Sequence, residues 1–138
     1  MIRRATPADA LACARIVCDW EAAQPYLARR PDEDAIAGMI AQALPNREIW
    51  VTGDPVDGYM SVDPAESKIG ALYLTRTGQG IGKRLMDMAK EGRDFLWLTM
   101  FAGNARAFAF YRREGFRLAS PMPAGTPGAT VLRMEWQR

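Results

Sequence analysis

Between Arg76 and Arg84 the chain reads Thr77-Gly78-Gln79-Gly80-Ile81-Gly82-Lys83. Glycine at alternate positions removes every Cβ from one side of this turn and lets the backbone take φ > 0, so a ligand can approach the main chain closely. An apolar run, Ile69 to Leu74, precedes the stretch as a strand, and a helical pattern from Ile81 into Lys90 follows it. The unpaired first N–H groups of that helix and the positive end of its dipole then face the same spot. The combination suits an anion, phosphate above all.

Two familiar phosphate loops do not fit. A Walker loop needs G-x-x-x-x-G-K-[ST], whereas Thr77 stands at the first glycine and Arg84 follows the lysine. A dinucleotide fingerprint starting at Gly78 would need glycine where Lys83 stands, and an acid where the apolar Leu96–Phe101 run falls.

A second spacing concerns Asn104, Ala107 and Tyr111. Asn104 and Tyr111 are seven residues apart, two helical turns, so they share a face with the small Ala107 between them, about 10 Å apart along the axis. Asparagine offers donors and an acceptor and tyrosine a phenol. Asn104 is also suited to cap the helix that follows it.

The chain has no histidine. Ser-His-Asp, Cys-His and histidine-based metal sites are therefore closed, and acid–base work falls to Asp, Glu, Tyr, Lys or water. No metal is expected. Cys13 and Cys18 match neither a metal spacing nor a disulfide framework and are assigned to packing. With 138 residues and a formal net charge of +2, a single domain spanning 1–138 is expected, and the charge is too small to argue for nucleic acid. The basic residues Arg76, Lys83, Arg84, Arg106, Arg112 and Arg113 give weak support for an anionic ligand. No apolar run reaches the ~20 residues of a membrane span, so no membrane is expected and the cytoplasm is the default location.

The elements that must position these residues follow in order. Ile2–Ala5 reads as a strand. Thr6-Pro7-Ala8-Asp9 starts a helix to about Trp20 that buries Leu11, Ile16 and Val17. Pro25 and Pro31 break the chain. Asp32-Glu33-Asp34 opens a second helix carrying Ile36, Met39, Ile40 and Leu44. Glu48–Thr52, Val56–Val62 and Lys68–Leu74 form an antiparallel meander. Phe95–Phe101 is a buried strand, parallel to Lys68–Leu74 because a helix crosses between them. A helix from Gly103-Asn104 ends at Gly115, Phe116–Ser120 is a short strand, and Thr130–Trp136 turns Leu132, Met134 and Trp136 inward.

This order, with two motifs, resembles the GNAT superfamily of acetyl-CoA-dependent N-acetyltransferases. Thr77–Gly82 is similar to its Q/R-x-x-G-x-G/A loop, and Asn104–Phe116 to its N-x-x-A-x-x-F-Y-x-x-x-G-F segment. The resemblance implies an α/β (α+β) fold: a mixed, mainly antiparallel central sheet with a parallel strand pair at the acyl-CoA site, flanked by about four helices. It also implies acetyl-CoA as co-substrate and a small-molecule or peptide amine as acceptor, and leaves room for a homodimer. The donor would be held by Leu72, Tyr73, Leu74, Thr77, Gly78, Gln79, Gly80, Ile81, Gly82, Lys83, Asn104, Ala107 and Tyr111. Tyr111, with a phenol near its ordinary pKa of about 10, would protonate the leaving thiolate. Two departures stand out. Gly70 occupies a position where relatives often carry an acid or histidine, and Thr77 one where they carry Gln or Arg. Glu21 is the preferred substitute base, with Asp63 and Glu66 assigned to a solvated turn. The alternative is an acyl-CoA-binding module without turnover.

Overall fold

The computed structural model describes residues 1–28 and 32–138; the chain break expected at Pro31 lies outside them. The strands are β1 (Ile2–Arg4), β2 (Glu48–Thr52), β3 (Gly58–Asp63), β4 (Lys68–Leu74), β5 (Phe95–Phe101), β6 (Arg117–Leu118) and β7 (Val131–Gln137). The helices are α1 (Ala10–Ala22), α2 (Glu33–Ala43), α3 (Ile81–Lys90) and α4 (Ala105–Arg113). They build one mixed sheet in the order β1-β2-β3-β4-β5-β7-β6, antiparallel throughout except for the β4–β5 pair. The expected architecture is the one found.

Alternation along the strands splits the core in two. Met60, Val62, Ile69, Leu96, Leu98, Met100, Leu132, Met134 and Trp136 face α3 and α4, burying Leu85, Met86, Ala89, Tyr111 and Phe116. Ile49, Val51 and Tyr59 face α1, where they meet Cys13 and Val17, with Ile36, Ile40 and Leu44 of the α2 segment packed behind. Each fully buried large apolar side chain contributes about 1.5–3 kcal/mol.

The helix starts follow local chemistry. A 3-10 turn over Pro7–Asp9 leads into α1, and the Asp9 carboxylate accepts from Thr6 N at 2.8 Å and from both Arg3 Nη atoms at 2.8 and 2.9 Å. Asp32 caps α2 by accepting from Asp34 N and Ala35 N at 3.0 and 3.3 Å.

Several expectations need correction. Leu11 is exposed (40%), because the inward stripe of α1 runs through Ala10, Cys13, Ala14 and Val17 and Leu11 falls beside it. Met39 is likewise out in solvent (68%), off the Ile36–Ile40–Leu44 line. Cys13 is buried but Cys18 only partly so, and both are free thiols. Strand β3 begins at Gly58, later than the expected Val56, because Thr52 and Asp57 close the preceding turn through Asp57 N–Thr52 O at 2.9 Å. The strand expected from Phe116 is confined to Arg117–Leu118. No helix among the described residues is long and apolar enough to cross a membrane, and none of them cluster as metal ligands.

Candidate active site

The parallel pair is where the sheet opens. β4 and β5 are in register only at Lys68–Trp97, with Trp97 N donating to Ser67 O at 3.0 Å. Beyond that point the strands part. On the other side β4 stays on the β3 ladder, where Thr75 N donates to Asp57 O at 2.9 Å. Bonded and non-bonded pairs alternate in such a ladder, so Ala71 and Tyr73 turn their amides to β3, and Leu72 and Leu74 turn theirs into the gap. The ladder skips Gly70, whose neighbours Ile69 and Ala71 pair with Val62 and Ser61. Gly70 is thus a bulge, exposed to the gap.

That gap widens into a cleft of about 960 Å³. Leu72, Tyr73 and Leu74 form one wall, Asn104, Ala107 and Tyr111 of the α4 segment another, and Thr77, Gly78, Gln79, Gly80, Ile81, Gly82 and Lys83 the mouth. The residues named from the sequence are therefore brought around one cavity.

The loop has the expected geometry. Gly78 and Gly80 have φ of +80° and +74°, and a Cβ added at either would meet nothing within 4 Å. Gly80 is the left-handed N-cap of α3 and no side chain caps the helix. The first α-helical bond is Arg84 N to Gly80 O at 3.1 Å, leaving the amides of Ile81, Gly82 and Lys83 free of the helix ladder. Gly82 serves packing: a Cβ there would lie 3.3 Å from both Leu74 and Phe110.

On α4, Asn104 Oδ1 accepts from Ala107 N at 3.2 Å, so the cap is made and the amide nitrogen is left for a ligand. Tyr111 is buried (8% exposed) with ring neighbours Phe110 at 5.4 Å and Phe116 at 5.7 Å. Burial pushes its phenol well above the ordinary value assumed from the sequence.

At the opposite end, α1 delivers Asp19, Trp20 and the buried Glu21 to the cleft. Trp20 stacks with Phe101 (6.2 Å, 16°) and meets Tyr73 edge-on at 5.8 Å. Tyr26 packs against Phe101 in turn: its ring lies 6.0 Å away, and a Cβ on Gly103 or Gly128 would come within 2.5 or 2.8 Å of it. Asp63 accepts from Ala65 N and Glu66 N in its own turn, away from the cleft. Sequence reasoning, which named Tyr73 and set the region 20–31 at the acceptor side on the resemblance alone, did not foresee the stacking of Trp20 on Phe101, and it left Arg106 in a diffuse basic cluster. Arg106 in fact crosses from α4 to donate to Thr77 Oγ1 at 2.6 Å.

An opened mixed sheet, with a glycine loop heading a helix at the gap, defines an acyl-transferase type of fold and site. A profile described as the acetyltransferase (GNAT) family matches residues 3–116. The chain belongs to that family. A search of curated proteins finds no match. Among solved structures, a ribosomal-protein-alanine N-acetyltransferase from Brucella melitensis is similar at 22% identity and TM-score 0.74, covering 100% of this chain and 99% of that one. The putative acetyltransferase yncA from Salmonella typhimurium, with its cofactor acetyl-CoA, is similar at 23% identity and TM-score 0.70, covering 99% of this chain and 92% of that one. A phosphinothricin acetyltransferase from Sinorhizobium meliloti, in complex with acetyl-CoA, reaches TM-score 0.76 at 19% identity, covering 99% and 87%.

Proposed function

We propose that this protein transfers the acetyl group of acetyl-CoA to a primary amine by direct attack. The observation that carries the reading is the junction of three features on one cleft: amides at the head of α3 outside the helix ladder, the Leu72–Leu74 strand end whose Leu72 and Leu74 amides turn away from β3, and the buried phenol of Tyr111. The phosphates fit the Gly78–Lys83 amides, and the pantetheine arm fits the gap, within reach of the Asn104 side-chain amide. The amine nitrogen attacks the thioester carbonyl carbon, and the oxyanion is met by a β4 amide turned into the gap. Collapse of the tetrahedral intermediate breaks the C–S bond, and Tyr111 gives its proton to the sulfur. Glu21 takes the first proton from the acceptor ammonium so that its lone pair can attack, and the second, released as the amide forms, returns to Tyr111. Gly70 offers no group for that task. The acceptor enters past Trp20 and Phe101. Within this reading the protein works in the cytoplasm, alone or as a homodimer. The test is release of free thiol from acetyl-CoA across a panel of amines. Binding of CoA without thiol release from any amine would instead support an acyl-CoA-binding module.

A further inference from the structure

Four basic side chains among the described residues line the cleft: Arg76, Lys83, Arg106 and Arg113. They differ in what already holds them. Arg76 Nε donates to Asp57 Oδ2 at 2.7 Å, and Asp57 is itself fixed by Thr52 Oγ1 at 2.7 Å; Arg76 Nη1 reaches Gln79 Oε1 of its own loop only at 3.4 Å. Lys83 Nζ lies 3.3 Å from Asp87 and 3.9 Å from Glu114. Arg113 stands on α4 seven residues beyond Arg106, about 10 Å away along the axis. Arg106 alone reaches the glycine loop from another element, and its partner there is a neutral hydroxyl, Thr77 Oγ1 at 2.6 Å. It forms no ion pair among the described residues.

A guanidinium bonded to a hydroxyl keeps its full charge and most of its donors. Phosphate oxygens match the guanidinium fork and make shorter, stronger bonds than a neutral acceptor. The Thr77 bond holds that fork beside the amides of Gly78 to Lys83. We propose that Arg106 is the side-chain cation for the donor's phosphates, and that it sets the preference for a phosphate-bearing donor over a phosphate-free one. This rests on the donor site proposed above. Asn104 and Arg106 then act from one rigid helix start, so phosphate and pantetheine recognition are placed by the same element, while Arg76 serves the Asp57 turn.

The test measures equilibrium binding of CoA and of pantetheine, which has the same thiol arm without the nucleotide phosphates. Wild type, Arg106→Gln, Arg106→Lys and Arg112→Gln are compared, Arg112 being a cation of α4 that does not line the cleft. Arg106→Gln should weaken CoA about 10- to 100-fold, the scale of losing charge-assisted bonds. Pantetheine binding should not change, and the salt dependence of CoA binding should flatten. Arg106→Lys should recover part of the loss, and Arg112→Gln should match wild type. Equal weakening of both ligands would show a structural role for Arg106 and overturn the proposal, as would unchanged CoA binding. The two readings fail separately. Arg106-dependent CoA binding without thiol release from any amine sinks acetyl transfer and leaves this inference standing. Transfer with Arg106-independent binding does the reverse, and no CoA binding by wild type sinks both.

Discussion

Replacing Gly80 tests whether the loop amides hold the donor. The residue sits at φ +74° with nothing within 4 Å of an added Cβ, so Gly80→Ala meets no clash in the free protein. Its cost is left-handed backbone strain, about 1–2 kcal/mol. At about 2.1 cal/mol/K per residue, the unfolding entropy of 138 residues is about 0.29 kcal/mol/K, so that strain lowers Tm by about 3–7 °C. A donor at a hundredfold excess over Kd stabilises by about 2.7 kcal/mol, or about 9 °C on the same scale. Gly80→Asp adds comparable strain and puts a carboxylate among the amides. Asp is also a good helix cap, so the free Tm of this variant is the wrong readout. The donor response is the right one. By thermal shift with acetyl-CoA, wild type should rise by about 9 °C under these conditions, Gly80→Ala by less, and Gly80→Asp by nothing measurable. Equal rises in all three would refute phosphate binding at the head of α3.

Tyr111→Phe should lower kcat about 10²- to 10⁴-fold with little change in donor affinity; an unchanged kcat in a steady-state assay removes the phenol from the mechanism. Because burial raises the Tyr111 pKa, the wild-type pH–rate profile should show no fall from its ionisation below pH 10. If Glu21 is the base, the pH–rate profiles of wild type and Glu21→Gln should differ, the variant climbing nearly tenfold per pH unit toward the amine's own pKa, about 10 for an alkyl amine; identical profiles exclude Glu21. Gly70→Glu should fold normally, since among the described residues a Cβ there meets only Ser61 O, at 3.9 Å, and should restore part of the neutral-pH rate lost in Glu21→Gln. Asp9, held at about 2 by the Arg3 guanidinium and the Thr6 amide, has a depressed folded-state pKa. Its contribution is therefore present above the unfolded value near 4 and is lost as pH falls toward 2. Denaturant titrations should show a smaller acid loss in Asp9→Asn over that window, and an unchanged loss rules out this linkage.

Much of the fold was legible because local rules agreed. β2, β4 and β5 were bounded correctly because turn residues or glycines flank β-branched and aromatic runs, and α4 was bracketed by its Asn104 cap and Gly115, whose φ is +93°. The misplacements at Leu11 and Met39 share a cause. Apolar spacing marks a helix face, but only the sheet beneath decides which face is covered. The site was legible where backbone chemistry makes it, at the glycines, and less so where side chains cross between elements. Nothing local says that Arg106 reaches Thr77, that Trp20 stacks on Phe101, or that Tyr26 rests on Gly103 and Gly128. Those contacts join residues far apart in sequence, and only the folded chain brings them together.

The single β4–β5 register pair at Lys68–Trp97 divides the sheet's backbone ladder, although one core under α3 and α4 runs beneath both parts. On one side lies a meander backed by α1 and α2; on the other, a β5–β7–β6 ribbon. The joint between them is a short seam reinforced at one end, where Lys68 and Arg133 sit 4.7 and 4.0 Å from the Trp97 ring. Such a seam has the form of a clothes-peg: closed at the spring, open at the jaws. A rod-like molecule laid between the jaws bridges both halves at once, so its grip depends on the angle between them as well as on the residues that touch it. Substitutions at the spring, far from any reacting atom, would then alter how tightly the jaws hold.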